Sequence, residues 1–193
     1  MDFMNRHTDY AINELIFERW SPRAFSPAPI DEQKLKCVFE AARWAPSCFN
    51  EQPWEFIAAS TEADRARFLE ILADSNKVWA KNAPVLIALI SRTTFAYNGK
   101  PNRWNGFDAG CAWGFLALEA RRQGLYAHAM GGFDKAKAKA VLNIPEDYEV
   151  YAMIALGELG DTSALPQELA ERELPADRKD LEEVLHFGGF PAK

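Results

Sequence analysis

The order of apolar and polar positions divides the chain into alternating helix-like and strand-like stretches. Leu35, Val38, Phe39 and Ala42 follow the i, i+3, i+4, i+7 spacing of one helix face, behind an Asp31 that can cap the first turn. That helix stops at Pro46, because proline biases the residue before it away from helical angles. The apolar run Trp54 to Ala59 (WEFIAA) reads as a strand. Thr61 to Ala73 predicts another helix, with Thr61 and Asp64 in capping-box-like spacing, Phe68, Ile71 and Leu72 facing inward, and Ser75, Asn76 and Lys77 ending it. Ala83 to Ile90 (APVLIALI) is short and unbroken, the pattern of a strand covered on both faces. LYAHAM and Tyr148 to Leu159 predict two further strands, with a lysine-rich helix from Lys135 to Leu142 between them. An N-terminal helix is expected from Thr8 to Arg19, capped by Thr8, with Ile12, Leu15 and Ile16 on one face.

One helix breaks the amphipathic rule. From Gly106 to Gln123, where Gly124 can end it, the chain is apolar all round between Phe107 and Leu118 except for Asp108, whose charge suits a first turn. Gly106, Gly110 and Gly114 recur every four residues and so lie on one side. Each interior glycine costs roughly 0.5–1 kcal/mol relative to alanine, so three in register imply that another backbone comes close. A helix without a polar face in so small a chain points to a partner subunit, a homodimer seam, ahead of burial wholly within the chain. Three segments read as irregular: the proline-rich RWSPRAFSPAPI, the polar residues 91–105, expected to be an exposed loop with local freedom, and residues 160–193. The last form either a loose tail or an arm that orders against another surface.

Composition narrows the class. With 193 residues, 48% hydrophobic and 26% charged, the chain reads as a single domain over 1–193, with 160–193 as a C-terminal arm. A net charge of −6 and a pI near 5.2 argue against nucleic-acid or anionic-membrane partners, and no apolar run approaches the ~18 residues of a membrane span. The first residues, MDFMNRHTDYAINE, lack the pattern of a signal peptide. Cys37, Cys48 and Cys111 are odd in number and without CxxC spacing, so they read as reduced thiols of a cytoplasmic protein.

Much familiar chemistry is missing. There is no GxGxxG after a strand, no GxxxxGK[ST] and no GxSxG, and His7, His128 and His186 are too scattered to predict a metal site. Cys48 has no histidine near it in sequence to lower its pKa, so a structural thiol is the better reading. What remains is a polar loop braced by Pro46 and Pro53 that carries Ser47, Cys48 and Asn50, together with Asn76 and the Gly131-Gly132 pair. The glycines either let a ligand approach the backbone or only permit a tight turn. Arg19 and Arg23 flank Ser21 as an anion site or a solvated basic loop, and Arg178 and Lys179 form a second basic pair. Uncharged donors and two basic clusters, without a base–nucleophile pair, suit a protein whose bound cofactor carries the chemistry.

The segments RWSPRAF, AARWAPSCFNEQPWEF, FDAGCAWGFLALEARRQGL, AMGGFD and RKDLEEVLHFG, in this order with Asn76, resemble the FMN-dependent nitroreductase family over nearly the whole chain. The resemblance implies an α+β fold, a mixed and mainly antiparallel sheet wrapped by helices, and a homodimer with FMN in clefts between subunits. It implies that Arg19 holds the FMN phosphate, Ser21 contacts its sugar-phosphate side and Arg23 sits by the pyrimidine edge. Pro46, Ser47, Cys48 and Asn50 would reach the flavin from the partner subunit. Asn76 would bond the ring edge, Gly131 and Gly132 would face N5 and O4, and Arg178, with Lys179, would complete the phosphate site. The expected activity is ping-pong two-electron transfer from NADH or NADPH to a nitroaromatic, quinone or related acceptor, with no protein side chain as catalyst. The alternatives are a specialised flavin dehydrogenase, a flavin-breakdown enzyme, or a non-catalytic flavin-binding protein on the same scaffold. This chain departs from the family's frequent second serine at Cys48 and has only a short loop between Ile90 and Gly106.

Overall fold

The computed structural model describes residues 6–191, so the last two residues of the expected arm lie outside the described part. Its centre is β2 (Val85–Arg92), flanked by β1 (Trp54–Ala59) and β4 (Tyr148–Gly157), with β3 (Tyr126–Met130) at the far edge in the order β1-β2-β4-β3. Every pairing among the described strands is antiparallel. Successive side chains of a strand point to opposite faces, and β2 shows the consequence. Val85, Ile87 and Leu89 pack toward α2 (Glu32–Arg43) and α5 (Asn105–Arg122). Leu86, Ala88 and Ile90 face α3 (Glu62–Ile71), α4 (Asp74–Ala80) and α6 (Lys135–Leu142). The continuous apolar run is therefore the middle layer of a three-layer domain, buried on both sides as its pattern predicts.

Local caps agree with the sequence at several points. The Asp31 side chain accepts from the Lys34 amide, the Thr61 side chain from the Asp64 amide and the Asp134 side chain from the Lys137 amide. Between Leu89 and Ile90 the register with β4 shifts, leaving Tyr151 as an extra residue. This bulge aims the Tyr151 hydroxyl at Asn105 Oδ1, 2.6 Å away, at the start of α5.

Three expectations are corrected. The first helix, α1, covers only Glu14–Glu18 and is capped by Asn13 rather than Thr8. Ile12 and Ile16 stay exposed, so the N-terminal half has no apolar face to bury, and short helices depend on such packing. The helix expected to run from Thr61 to Ala73 stops at Ile71, and Ser75, Asn76 and Lys77 belong to α4. The break is tertiary: Leu72 bridges Phe133, the Ala73 amide donates to Gly132 O at 2.9 Å, and the Asp134 amide donates to Ile71 O at 3.0 Å. The 91–105 segment is more ordered than its polarity suggests. Thr94 bridges Pro101, and Asn102, only 1% exposed, donates its amide to Thr93 O at 2.8 Å. The glycine face of α5 meets no backbone among the described residues, which leaves the expected partner seam untested. A Cβ on Gly106 would meet the Tyr151 ring at 2.8 Å, whereas Gly110 and Gly114 have nothing within 4 Å.

The C-terminal segment holds two short 3-10 turns, Thr162–Ala164 and Leu181–Glu183, and the four-residue helix α7 (Gln167–Ala170). Its middle is tied down by buried Glu173, and beyond that Val184, Leu185, Phe187 and Phe190 are exposed.

Candidate functional site

Residues 19–24 lie beside β3 and alternate in burial with a two-residue period. Trp20, Pro22 and Ala24 are buried, while Arg19, Ser21 and Arg23 are half-exposed on the other side. Trp20 packs edge-on against Tyr126, with ring centroids 6.2 Å apart, and Phe25 stacks on Trp79 at the same centroid distance. His128 on β3 holds the segment by its Nδ1, 2.8 Å from Pro22 O. Since the carbonyl can only accept, Nδ1 carries the proton. Burial, and then the Arg23 charge, push the His128 pKa down, against the pull of the Pro22 carbonyl.

A second brace comes from the C-terminal segment. Glu173, whose side chain is 1% exposed, accepts through Oε1 from the amides of Arg23 and Ala24, the latter at 2.8 Å. Its Oε2 lies 3.7 Å from the Arg23 guanidinium. Arg6 ties the ends of the domain together, donating to Phe17 O and, at 2.9 Å, to Ala176 O.

These segments enclose an open cavity of about 350 Å³ lined by Arg6, Arg19, Ser21, Arg23, Arg172 and Arg178, with Trp20, Leu174 and Ala176. Burial and the neighbouring Arg178 push the Arg19 guanidinium below its ordinary pKa, and burial, Arg178 and Arg19 do the same to Arg6. Five guanidinium groups line this cavity, three of which (Arg6, Arg19 and Arg178) lie close enough to repel one another, and paired donors of this kind fit a phosphate. Arg19, Ser21, Arg23 and Arg178 are thus brought together as expected. Lys179 instead lines an adjoining hollow with His7, Tyr10, Asp177 and Val184. Arg6, Arg172 and Glu173 had no periodic or motif signal in the sequence.

Asn76 and the glycine pair form a second group. The α3–α4 break places Asn76 in the first turn of α4, where its Nδ2 donates to Gly132 O at 3.0 Å. A Cβ on Gly132 would meet this nitrogen at 2.8 Å, so the side chain and the missing Cβ explain each other. Gly131 is exposed, and a Cβ there would have nothing within 4 Å. The pair continues directly from β3, the strand against which the arginine segment is braced.

The third group is the loop after α2. Pro46 and Asn50 are exposed and Ser47 and Cys48 half-buried. Phe49, Asn50 and Gln52 all take left-handed backbone angles, with φ of 54°, 55° and 51°. Asparagine tolerates this region, but phenylalanine and glutamine do so at a cost, and such strain tends to gather at working loops. The Gln52 amide donates to Ser47 Oγ at 3.0 Å, and the Cys48 amide to both oxygens of Asp108 at 3.2 Å. Burial pushes the Asp108 carboxyl up, and the Cys48 amide offsets this only in part. The loop leads into β1, and the arginine cavity lies at β3. Three strand spacings separate these edges, roughly 14 Å within one chain.

Among the described residues no group of three or more His, Cys, Asp or Glu is placed to hold a metal ion, and no helix is long and apolar enough to cross a membrane.

A three-layer fold with an arginine-walled cavity at one sheet edge and a strained polar loop at the other defines an α+β protein. The Nitroreductase family model matches residues 16–80 and 75–158, and the chain belongs to that family. A solved structure described as an oxidoreductase containing FMN is 43% identical, covers 100% of both chains and superposes with a TM-score of 0.94. A nitroreductase in complex with FMN from Exiguobacterium sibiricum shares the fold at 18% identity, with a TM-score of 0.75 and 97% of each chain covered. An NADH dehydrogenase of Thermus thermophilus is 26% identical over 199 residues, covering 87% of this chain and 91% of its own. A 15.4 kDa protein of Mycolicibacterium smegmatis is 39% identical over 87 residues, 45% of this chain and 58% of that protein.

Proposed function

We propose that the protein is a homodimeric FMN-dependent oxidoreductase that takes two electrons from NADH or NADPH and passes them to a nitroaromatic, quinone or related small acceptor. The observation that carries this reading is the arginine cavity. A phosphate monoester bears about −1.5 to −2 charge near neutral pH, and Arg19, Arg23 and Arg178 supply matching donors with Ser21 beside them. Family membership and the FMN-containing relatives support the choice of cofactor. FMN supplies the hydride chemistry; the chain binds it, orients it and sets its electrostatics. Asn76 and the Gly131-Gly132 backbone, which follows directly from β3, are the groups we assign to the flavin ring.

The loop with Pro46, Ser47, Cys48 and Asn50 stands at the opposite sheet edge from the arginine cavity, and we read it as serving the cofactor of a partner chain. Its reach is provided by a second copy docked on the glycine face of α5, where Gly110 and Gly114 are open and Phe107 and Phe115 exposed. The exposed apolar residues of the C-terminal arm suit the same surface. Each site then draws its phosphate anchor from one chain and its polar loop from the other.

The test has two parts. Mass spectrometry of the cofactor released from purified protein should give FMN; FAD, or a colourless protein that FMN cannot reconstitute, overturns the assignment. An Arg19→Glu chain and a chain with Ser47→Trp and Asn50→Trp should each form flavin-poor homodimers. Their doubly tagged heterodimer should carry one site with both defects and one with neither, hence about one FMN per dimer. A verified heterodimer with no recovered site would show that both clusters serve one flavin from one chain.

A further inference from the structure

Asp108 is a buried charge in the first turn of α5, only 1% exposed, in a position where a solvated carboxylate would suit the helix dipole equally well. Its burial therefore needs another reason. Among the described residues its hydrogen-bond donor is the Cys48 amide, which bisects the two carboxylate oxygens at 3.2 Å.

That amide belongs to the most strained stretch of backbone in the domain, where three of the four residues from Phe49 to Gln52 are left-handed. The loop closes on itself through the Asn50 amide to Ser47 O at 3.0 Å, the Glu51 amide to Cys48 O at 3.1 Å and the Gln52 amide to Ser47 Oγ at 3.0 Å. Since Ser47 Oγ accepts from inside the loop, its hydroxyl proton is left to donate outward. Two hydrogen-bond tethers fix this knot to the rest of the fold beside an edge contact of Phe49 with Phe95: Asp108 at Cys48, and Glu51 Oε1, which accepts from the Ala96 amide at 2.5 Å. A strained, self-closed loop keeps one conformation only while its surroundings hold it there.

We propose that Asp108 is a positioning residue for the cofactor site: through the Cys48 amide it locks the 47–52 loop in the geometry that presents Ser47 and Asn50 to the flavin anchored by the partner subunit. This rests on the two-chain site proposed above. Asp108 touches no cofactor; it acts through the loop. Asp108→Ala removes the acceptor, whereas Asp108→Asn keeps one oxygen for the Cys48 amide and loses the charge and the second acceptor.

The experiment measures FMN affinity in homodimers and in tagged heterodimers. The Asp108→Ala homodimer should bind FMN at least roughly tenfold more weakly, the loss expected for one charge-assisted hydrogen bond, and Asp108→Asn should restore most of it. In the heterodimer of Asp108→Ala with Arg19→Glu, the loop defect and the phosphate defect fall on the same site. The other site should therefore bind as in the wild type. A general weakening of the fold would lower both. Wild-type affinity in the Asp108→Ala homodimer overturns the proposal. So does a heterodimer without a recovered site when the Arg19→Glu chain paired with the Ser47→Trp/Asn50→Trp chain does recover one. Failure of that control pairing as well would bring down the two-chain site, and this proposal with it. If Asp108→Ala does not fold, Asp108→Ser, too short to reach the Cys48 amide, goes through the same pairing. If neither folds, Asp108 is a folding determinant and the proposal is wrong.

Discussion

Replacing Glu173 with alanine should loosen the arginine segment more than any other single change outside it. The side chain is almost fully buried and its Oε1 serves the amides of Arg23 and Ala24, of which Ala24 is buried and Arg23 half-exposed. An orphaned buried donor costs about 1–3 kcal/mol, and the Arg23 amide, within reach of water, adds less. The expected loss is about 2–4 kcal/mol, or roughly 5–15 °C in Tm for a chain of this size. The 3.7 Å pair with the Arg23 guanidinium is left out of this figure, because that guanidinium is 35% exposed and screened. Glu173→Gln keeps Oε1 and should lose about 1–2 kcal/mol, the difference between a charged and a neutral acceptor. Urea denaturation of cofactor-free protein measures both, since bound FMN would add its own stabilisation. The alanine variant should also bind FMN more weakly, through the displaced Arg23. An alanine variant within about 0.5 kcal/mol of wild type, or a glutamine variant as damaging as alanine, would refute the reasoning.

Three other expectations follow from single residues. The depressed His128 pKa means that the folded state binds its proton less readily than the unfolded chain, so the stabilisation is complete above about pH 6.5 and lost as pH falls through the folded pKa. Denaturation from pH 7 to pH 5 should show a steeper loss in wild type than in His128→Asn, and equal slopes would contradict the assignment. Gly132→Ala should push the Asn76 amide off Gly132 O, costing about 0.5–1.5 kcal/mol and weakening FMN binding; a silent substitution would mean that Asn76 is not held there. Cys48→Ser should keep FMN and most turnover, because the loop uses the Cys48 amide rather than its thiol; a loss beyond roughly a hundredfold with FMN still bound would indicate thiol chemistry.

The sheet and the long helices were legible because their signals are local. β1 spans the predicted WEFIAA segment, α6 the predicted Lys135–Leu142, and Asp31 and Thr61 cap where the pattern puts them. The groups proposed for the cofactor site were singled out mainly through resemblance to a family. The misses are tertiary. Nothing in EILADSNK announces that Ile71 to Ala73 pairs with the glycine turn, yet that pairing is what points Asn76 at Gly132. Glu173 looks like one acid among several in a polar arm, and only the fold shows that two amides 149 and 150 residues away end on it. Arg6 is silent for the same reason. The three glycines of α5 suggested close approach by another backbone, but within this chain only Gly106 has a close neighbour, the Tyr151 ring.

The central claim is that this chain uses bound FMN to move electrons from a nicotinamide donor to a small acceptor, and anaerobic spectroscopy tests it most directly. Purified yellow protein titrated without oxygen with NADH and with NADPH should lose its visible flavin absorbance at about one donor per bound FMN. Later addition of a nitroaromatic or quinone should restore the band, with loss of the acceptor in step. A flavin that neither donor bleaches, although dithionite does, would contradict the account and leave a flavin-binding protein without this turnover.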